Sequence, residues 1–153
     1  MKIAVGSDER THLTDTVIEE LQKRGHDLLL FGPQAENDPE VDWPLTSSKV
    51  ADSVATHKAD EGILFCWTGT GASIAANKVP GIRAALCQDA ETARGARIWN
   101  HANVLALSLR ATTEAIAKEI LETWFTTPYS EDEWNRQQIE RITQLEAHQE
   151  GFD

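Results

Sequence analysis

A glycine-rich turn follows one apolar run of the chain and carries the residues best suited to chemistry. The run Gly62-Ile63-Leu64-Phe65 is typical of a buried strand, and Cys66-Trp67-Thr68-Gly69-Thr70-Gly71 comes directly after it. Residues 72–78 have the pattern of a helix start, and the first backbone N–H groups of a helix favour an anion. The pattern therefore predicts a small phosphorylated or enolate-forming substrate, with the Cys66 thiol as acid or base.

Each part of this turn has a predicted role. Gly69 and Gly71 are expected to allow a backbone path and a close ligand approach that a side chain would block. The hydroxyls of Thr68 and Thr70, with backbone N–H groups, suit a cradle for an oxyanion or a phosphate. Cys66 at a helix N-terminus suits proton transfer, whereas a cysteine at a strand end also serves as a small apolar filler, and both alternatives stay open.

Three other positions carry reactive side chains. Cys87 ends another predicted strand without a glycine turn, so we expect an apolar core residue there. Asp8 ends the first predicted strand, where it is expected to act on the substrate, to cap the next helix, or both. His101 comes just before the fifth predicted strand, and a catalytic role and a place in a surface loop are equally compatible with that position.

The composition limits the classes of function. The chain has 153 residues, of which 41% are hydrophobic, and this predicts a single folded domain over residues 1–153. Its net charge is -11, so nucleic acid and anionic membranes are not expected partners, and an anionic substrate would need a local positive site. No stretch approaches the roughly 20 apolar residues of a membrane span. We therefore expect a cytoplasmic protein. Its two cysteines lack the additional ligands that a structural zinc site requires.

Short apolar runs alternate with helical patterns along the chain. The strands are predicted at 2–7, 27–31, 61–66, 83–87 and 104–107, and the helices at 11–24, 45–57, 71–77, 90–100, 112–123 and 130–148. This order predicts a parallel sheet with helices on both faces and ligands beyond the carboxyl ends of the strands. Gly25 is expected to end the first helix, and Ser130 with Glu133 to form a capping box for the last. The long loop 32–44 is expected to cover the site, and the last helix to pack on a neighbouring subunit.

Four blocks of the sequence resemble one known family. Residues 1–8, the motif from Cys66 to Gly71, and residues 73–84 and 103–106 are similar to the ribose-5-phosphate isomerase B and galactose-6-phosphate isomerase family, and the resemblance extends over residues 1–145. It implies a Rossmann-like three-layer α/β sandwich with a five-stranded parallel sheet and an extended C-terminal helix. It also implies a homodimer or dimer of dimers with active sites at the subunit interface, and isomerisation without a metal or cofactor.

The resemblance assigns roles to particular residues. A base removes the C2 proton of the opened aldose, a cis-enediolate forms, and the proton returns to C1. Cys66 matches the catalytic cysteine, Thr68 to Gly71 match the loop that stabilises the enediolate oxygens, and Asp8 matches an aspartate that contacts the sugar. The predicted catalytic residues are thus Asp8, Cys66, Thr68 and His101, and the predicted substrate-binding residues are Glu9, Trp67, Gly69, Thr70, Gly71, Asn77, Trp99, Asn100, Trp134 and Arg136.

Several positions depart from the pattern of a ribose isomerase. Glu9 stands where a histidine is usual, Trp67 where a glycine is usual, and Trp99 where a histidine opens the sugar ring. Two arginines that bind phosphate fall on Trp134 and Gln138. His101 can replace the missing histidine or leave its role unfilled, and Arg136 or Arg141 can replace the arginines or lie on other faces of the last helix.

These departures lead to two hypotheses of function. Trp67, Trp99 and Trp134 would reshape one pocket for a sugar phosphate other than ribose 5-phosphate, such as a four-carbon sugar that needs no ring opening, unless each indole packs independently. Alternatively, the chain is a non-catalytic member that acts as a partner subunit or binds a sugar phosphate, because a histidine and two arginines are missing. Turnover by the purified protein separates the two hypotheses.

Overall fold

In a computed structural model, residues 1–150 are described, with side chains up to residue 148. The elements follow the order β1 (Lys2–Ser7), α1 (His12–Lys23), β2 (Asp27–Phe31), α2 (Trp43–Ala55), β3 (Glu61–Cys66), α3 (Thr70–Ala76), β4 (Ala84–Leu86), α4 (Ala90–Asn100), β5 (Val104–Ser108), α5 (Glu114–Thr126) and α6 (Glu133–Glu150). The predicted three-layer α/β sandwich is confirmed. No helix within residues 1–150 is both long and apolar enough to cross a membrane.

The five strands form one parallel sheet in the order β2-β1-β3-β5-β4. The chain moves outward from β1 to β2 and then returns past β1 to β3, so the direction of winding reverses between β1 and β3. In open parallel sheets this reversal opens a crevice at the carboxyl ends of the two strands, where ligands bind. The strand order therefore places the expected site beyond the ends of β1 and β3.

Two apolar clusters form the core, one on each face of the sheet. One face packs on α1, α4 and α5, with Trp124 as its largest buried side chain. The other face packs on α2 and α3, around Val50 and Leu64. All residues of β3 and β5 are buried, which explains their continuously apolar sequence.

Most predicted elements lie where the sequence places them, and the caps of two helices differ from the prediction. The bounds of β1, β2, β3 and α4 agree with the predicted ones, and Gly25 has the predicted left-handed backbone after α1, with φ +80°. The Ser130–Glu133 capping box is wrong, because α6 begins at Glu133 and its first turn is capped by Asp132, whose Oδ1 accepts from the N–H of Asn135 at 3.0 Å. The Ser130 hydroxyl instead contacts the Asp132 carboxylate.

The cap of α1 also differs from the prediction. Thr11 caps this helix in a reciprocal capping box with Thr14, so the prediction that Asp8 caps it is wrong. Two residues separate Asp8 from the cap, because Glu9 and Arg10 lead the chain away from β1 before the helix begins. The Asp8 carboxylate is therefore left for another role.

Candidate active site

Part of the predicted site lies together at the carboxyl ends of the neighbouring strands β1 and β3. Ser7 pairs with Phe65 and Cys66 pairs with Ser108, so Asp8 follows β1 at the level at which Cys66 ends β3. We call this set the carboxyl-end group, and it comprises Asp8, Glu9, Cys66, Trp67, Thr68, Gly69, Thr70 and Gly71. It lies where the winding of the sheet reverses, as expected for a ligand site in this class of fold.

The two cysteines have different surroundings: Cys66 ends β3, and Cys87 directly follows β4. Cys66 is 6% exposed and packs with the cluster between the sheet and helices α2 and α3, directly before the glycine turn. Cys87 is 1% exposed, and burial raises the pKa of its thiol to about 12, with the nearby charge of Asp89 adding to the effect. The Cys87 thiol thus stays protonated at neutral pH, which agrees with its expected place in the core.

One carboxylate oxygen of Asp8 lacks a partner inside the protein. Asp8 Oδ1 is buried without a hydrogen bond within the described residues. Burial raises the pKa of this carboxyl, and the charge of Glu9 adds to the shift, while a backbone hydrogen bond opposes it. A buried acceptor without a donor destabilises the folded protein unless a ligand or water supplies one. The structure thus places a carboxylate where a substrate hydroxyl can bind it.

We expect Asp8→Asn to raise stability and lower activity. Because the pKa is raised in the folded protein, ionised Asp8 lowers the free energy of unfolding above that pKa, and this effect disappears as the pH falls below the pKa of the unfolded chain. Urea unfolding at neutral and acid pH should therefore show a stabilisation of the variant that shrinks toward acid. Losing a hydrogen bond to a charged group should reduce kcat/KM by about tenfold to hundredfold.

Glu9→Gln is the matched control for stability, since Glu9 is exposed and no hydrogen bond of its carboxylate is found within the described residues. Its unfolding curve should change far less than that of Asp8→Asn, because the charge of Glu9 contributes less than burial to the raised pKa of Asp8. Equal stability of Asp8→Asn and wild type at neutral pH would contradict the assignment of a strained, desolvated carboxylate at Asp8.

The turn after β3 is held from the neighbouring strand β5. The carbonyl oxygen of Trp67 accepts the Ser108 hydroxyl at 3.0 Å and the Arg110 backbone N–H at 3.1 Å. On the exposed side of the turn, the hydroxyls of Thr68 and Thr70 lie 2.7 Å apart and share one hydrogen bond. The backbone is therefore fixed, while two hydroxyls stay accessible to a ligand.

Both glycines of the turn are required by contacts within the protein, and Gly69 has the special backbone path that the sequence predicts for it. A Cβ on Gly69 would lie 2.5 Å from Leu86 Cδ1 and 3.0 Å from the backbone of Leu107, and its φ is +76°. A Cβ on Gly71 would lie 3.1 Å from the indole of Trp43. Side chains and backbone of this chain thus fill the space that a Cβ would take at each glycine, and the close approach of a ligand stays a prediction.

Gly69→Ala should lower the free energy of unfolding by about 2 kcal/mol or more, because a left-handed backbone and a steric clash add together. Gly81→Ala is its matched control, since Gly81 has a φ of +83° and nothing within 4 Å of the added Cβ. That control should cost about 1 kcal/mol from backbone conformation alone. Chemical denaturation of both variants measures the difference, and equal losses would contradict the packing role of Gly69.

Two residues at this end of the sheet were not identified from the sequence. Trp43 begins α2 and lies over Gly71, so the end of the loop 32–44 covers the turn as predicted, with an indole. The loop itself is fastened by Asp38, which accepts from the N–H of Gly32 and pairs with Lys49 at 2.8 Å. Arg110 lines a small cavity of about 310 Å³ together with Thr68, Cys87 and Ser108. Its position just beyond β5 was the available signal, because ligands of such sheets bind there.

The remaining predicted site residues lie at the opposite, amino end of the sheet. We call them the amino-end group, and they are Asn77, Trp99, Asn100, His101, Trp134 and Arg136. Helices α3 and α4 run antiparallel to the strands, so their last residues lie beside the strand starts. A strand of six residues such as β3 separates the two ends by roughly 17 Å. A single chain therefore does not bring the two groups together.

The three tryptophans follow this division. Trp67 is 60% exposed in the carboxyl-end group, whereas Trp99 and Trp134 are 53% and 66% exposed in the amino-end group. Within one chain the three indoles do not line one pocket, and none of them packs in the core either. Trp99 lies against Gly95, and the Arg94 guanidinium lies 6.0 Å from its ring.

A large groove of about 960 Å³ runs along the edge strand β4, between α4 and α6. Asn77, Trp99 and Asn100 line it together with Gln138 and Arg141 of α6, whereas Trp134 and Arg136 do not. Asn77 is engaged with its own chain, because its amide donates to the carbonyl of Ala84 at 2.9 Å and accepts from its N–H at 2.8 Å. The groove therefore collects part of the amino-end group on one face.

His101 is held by its surroundings in the chain. It ends α4 with a left-handed backbone, its ring stacks on Tyr129, and its Nε2 lies 2.8 Å from the carbonyl oxygen of Ser130. Its catalytic role stays a prediction. Within the described part of the chain, no group of three or more His, Cys, Asp or Glu side chains is arranged to hold a metal ion.

Comparisons with known proteins agree on one family. The family model described as Ribose/Galactose Isomerase matches residues 3–144. Ribose-5-phosphate isomerase B of Escherichia coli is 38% identical over 146 residues, which cover 95% of this chain and 96% of the relative. D-erythrulose-4-phosphate isomerase of Pectobacterium atrosepticum is 37% identical over 153 residues, with 98% and 97% covered. Among solved structures, ribose-5-phosphate isomerase B of Clostridium thermocellum superimposes with a TM-score of 0.88 at 38% identity, with 97% of this chain and 99% of that chain covered.

Proposed function

The chain belongs to the ribose/galactose isomerase family of sugar-phosphate isomerases, and on this premise we propose that Cys66 is the base that interconverts an aldose phosphate and a ketose phosphate. The observation that supports this proposal most is the position of Cys66. It ends β3 beside the reversal point of the sheet, level with the unpaired carboxylate of Asp8 and directly before two exposed threonine hydroxyls.

The reaction moves two protons, one between Cys66 and carbon and one between the two oxygens. The Cys66 thiolate takes the proton from C2 of the open-chain aldose, the C–H electron pair forms the C1–C2 double bond, and the carbonyl pair moves to O1, which gives a cis-enediolate. The thiol then returns its proton to C1 while the O2 proton passes to O1 and the O2 electron pair forms the C2 carbonyl, so C1 is reduced and C2 is oxidised. The Thr68 hydroxyl and the backbone N–H groups of the turn would donate to the enediolate oxygens, where charge develops.

Two further residues would bind the substrate at this end of the sheet. Asp8 Oδ1 has no donor inside the described protein and would accept a hydrogen bond from a sugar hydroxyl. Arg110 lines the cavity that also contains Thr68, and it is the only basic side chain among the described residues that line this cavity. A guanidinium binds phosphate or an oxyanion with paired hydrogen bonds, and it would supply the local positive charge that a chain with net charge -11 needs.

We propose a four-carbon sugar phosphate as the first substrate to test. Trp99 stands at the family position of the ring-opening histidine, and a four-carbon sugar phosphorylated on O4 has no hydroxyl with which to close a ring. The similarity to a D-erythrulose-4-phosphate isomerase over nearly the whole chain supports the same choice. Exposed Trp67 and Trp43 would narrow the site around a short substrate.

The test is isomerisation of four-, five- and six-carbon sugar phosphates by the purified protein, beside Cys66→Ala. Turnover of a four-carbon member above the others, lost in the variant, would support both the reaction and the substrate. A preference for ribose 5-phosphate would refute the substrate while keeping the reaction. Binding without turnover across the panel would favour the alternative, a partner subunit or a sugar-phosphate-binding protein.

We also propose that two copies of the chain form each active site. The carboxyl-end group and the amino-end group lie at opposite ends of one sheet, and only a second copy can bring the amino-end group near Cys66. The groove along β4 and the exposed apolar side chains of α6, Trp134, Ile142 and Leu145, provide a surface for that contact. The homodimer or dimer of dimers predicted from the sequence agrees with this arrangement.

Mixed oligomers test the shared site. Cys66→Ala changes the carboxyl-end group and Arg136→Ala changes the amino-end group, so co-expression of the two inactive or impaired chains should restore part of the activity through sites with two intact halves. Co-expression of Cys66→Ala with Thr68→Ala is the control, because both changes fall in the same group and no intact site can form. Equal activity of the two mixtures would contradict a shared site.

A further inference from the structure

A stack of flat side chains fills the space between α4, α5 and the segment before α6. The Arg97 guanidinium lies 4.8 Å from the ring centre of Trp124 and 4.5 Å from that of Tyr129. The imidazole of His101 also stacks on Tyr129, with ring centres 4.6 Å apart and 5° between the planes. We call Trp124, Arg97, Tyr129 and His101 the Arg97 stack. It connects the buried core to the last residue of α4.

Hydrogen bonds fix the inner part of this stack. Arg97 pairs with Glu61 at 2.9 Å, and both side chains are about nine-tenths buried. Arg97 Nη1 also donates to the Ala102 carbonyl at 2.7 Å and lies 3.0 Å from the Tyr129 hydroxyl. The Tyr129 hydroxyl donates to the same carbonyl at 3.1 Å. Tyr129 is therefore held at its ring and at its hydroxyl, and it offers His101 a fixed surface.

The contact of His101 with Ser130 determines which ring nitrogen carries the proton. Nε2 lies 2.8 Å from the Ser130 carbonyl oxygen, and a carbonyl can only accept a hydrogen bond. In the neutral ring, Nε2 therefore carries the hydrogen and Nδ1 keeps a lone pair. No hydrogen bond to Nδ1 is found among residues 1–148. Ser130 is itself positioned, since its N–H donates to the Ile98 carbonyl at 3.1 Å.

The backbone of His101 indicates that its side-chain contacts matter. His101 has a φ of +48°, in the left-handed region where glycine or asparagine is favoured. Such a conformation persists in a larger residue when the surrounding contacts determine it. His57 is the other described residue besides glycine in this region, with a φ of +58°, but it is exposed at the end of α2. The two histidines share a backbone conformation and differ in their side-chain surroundings.

We propose that Tyr129 and Arg97 are positioning residues that hold His101 as the Nε2–H tautomer, so that its Nδ1 accepts a hydrogen bond from a hydroxyl of the sugar phosphate. This inference rests on the proposed function, in which the amino-end group of one copy completes the site of another. His101 directly follows Trp99 and Asn100, which line the groove. The sequence left open whether His101 replaces the missing histidine of the family, and the stack supplies a physical reason for it to take part.

The first test measures the tautomer without substrate. In a long-range ¹H–¹⁵N spectrum of ¹⁵N-labelled protein at mildly alkaline pH, the His101 ring should show one N–H nitrogen at Nε2 and one bare nitrogen at Nδ1. The charged and titratable groups that face it are Arg83, whose Nε donates to the His101 carbonyl, and Arg97, Glu61 and Tyr129. His101→Asn assigns the signals. The Nδ1–H tautomer in the wild-type spectrum would overturn the inference, whatever the activity.

The second test is a double-mutant cycle in the isomerase assay. Tyr129→Leu removes the stacking surface, so it should mix the two tautomers and lower kcat/KM by about tenfold. His101→Asn loses one hydrogen bond and should also lower kcat/KM by about tenfold. The double variant should be no slower than His101→Asn, because Tyr129 acts only through His101. If Tyr129→Leu lowers kcat/KM by the same factor in the wild type and in His101→Asn, the role of Tyr129 is merely structural and the inference is overturned.

Two variants serve as controls for folding and for backbone conformation. Tyr129→Phe keeps the stacked ring and removes only the hydroxyl, so it should retain the Nε2–H tautomer even if Tyr129→Leu does not fold. His57→Asn makes the same substitution at the exposed left-handed position and should leave turnover unchanged. Absence of turnover in the wild type would refute the proposed function instead, and the tautomer of His101 would then decide the inference alone.

Discussion

Cys66→Ala should reduce turnover by about 10²–10⁴-fold while leaving the protein folded, because the variant loses the group that takes the C2 proton. The thiol lies at the end of a buried strand, so its removal leaves a small cavity at the edge of the core. We expect a cost of about 1 kcal/mol in stability, which the fold tolerates. Steady-state kinetics on the best substrate of the panel, together with urea unfolding, measures both quantities.

Cys87→Ala is the matched control for this prediction. It removes a buried thiol that directly follows β4. Burial raises the pKa of that thiol to about 12, which excludes a thiolate at neutral pH. Its loss of turnover should be small beside that of Cys66→Ala. Exchange of the substrate C2 proton with solvent deuterium should likewise disappear in Cys66→Ala and persist in Cys87→Ala. Retained exchange in Cys66→Ala would move the base elsewhere, with Asp8 as the next candidate.

Glu61→Ala should lower the free energy of unfolding by about 3–5 kcal/mol, because it leaves the buried guanidinium of Arg97 without its counter-charge. Glu61 Oε1 lies 2.9 Å from Arg97, and its Oε2 accepts from the Trp124 indole N–H at 2.6 Å. Burial raises the pKa of Glu61, while the charge of Arg97 opposes that shift. Chemical denaturation at neutral pH measures the loss.

An exposed ion pair on α4, the helix that also carries Arg97, provides the control. Glu91 and Arg94 form an exposed ion pair near the start of α4, and Glu91→Ala should cost far less stability than Glu61→Ala, because solvent screens the exposed charges. Replacing both buried partners, as in Glu61→Leu with Arg97→Met, should cost less than Glu61→Leu alone, since no unpaired charge remains. If Glu61→Ala costs no more than Glu91→Ala, the buried pair does not have the predicted role.

The sequence was sufficient to predict the elements and the position of the glycine turn. Strands such as β3 and β5 are covered on both faces, so their apolar runs are continuous and their ends can be located from the sequence alone. The glycine turn after Cys66 was equally visible, because a positive φ and close packing restrict the residue types at Gly69. These are local constraints, and each leaves its mark within a few neighbouring positions.

Features that depend on contacts with other parts of the chain were predicted less well from local patterns. The Asp8 cap was wrong because Thr11 lies three residues closer to α1 and satisfies its first N–H groups. The packing around the glycines was not predicted because Leu86, Leu107 and Trp43, which fill the space beside them, come from distant parts of the chain. Arg110 was missed because only the pairing of β5 with β3 brings it beside Thr68.

By itself, the sequence determined the class of fold and the positions of the strands and of the glycine turn, since burial and backbone conformation restrict residue types position by position. Only the tertiary structure decided the strand order, the reversal between β1 and β3, and the separation of the predicted site into two groups. The physical reason is the direction in which the helices run relative to the strands. In a parallel sheet each helix must run back against the strands, so residues late in α3 and α4 lie far from the strand ends that carry Cys66, and no spacing along the sequence records that distance.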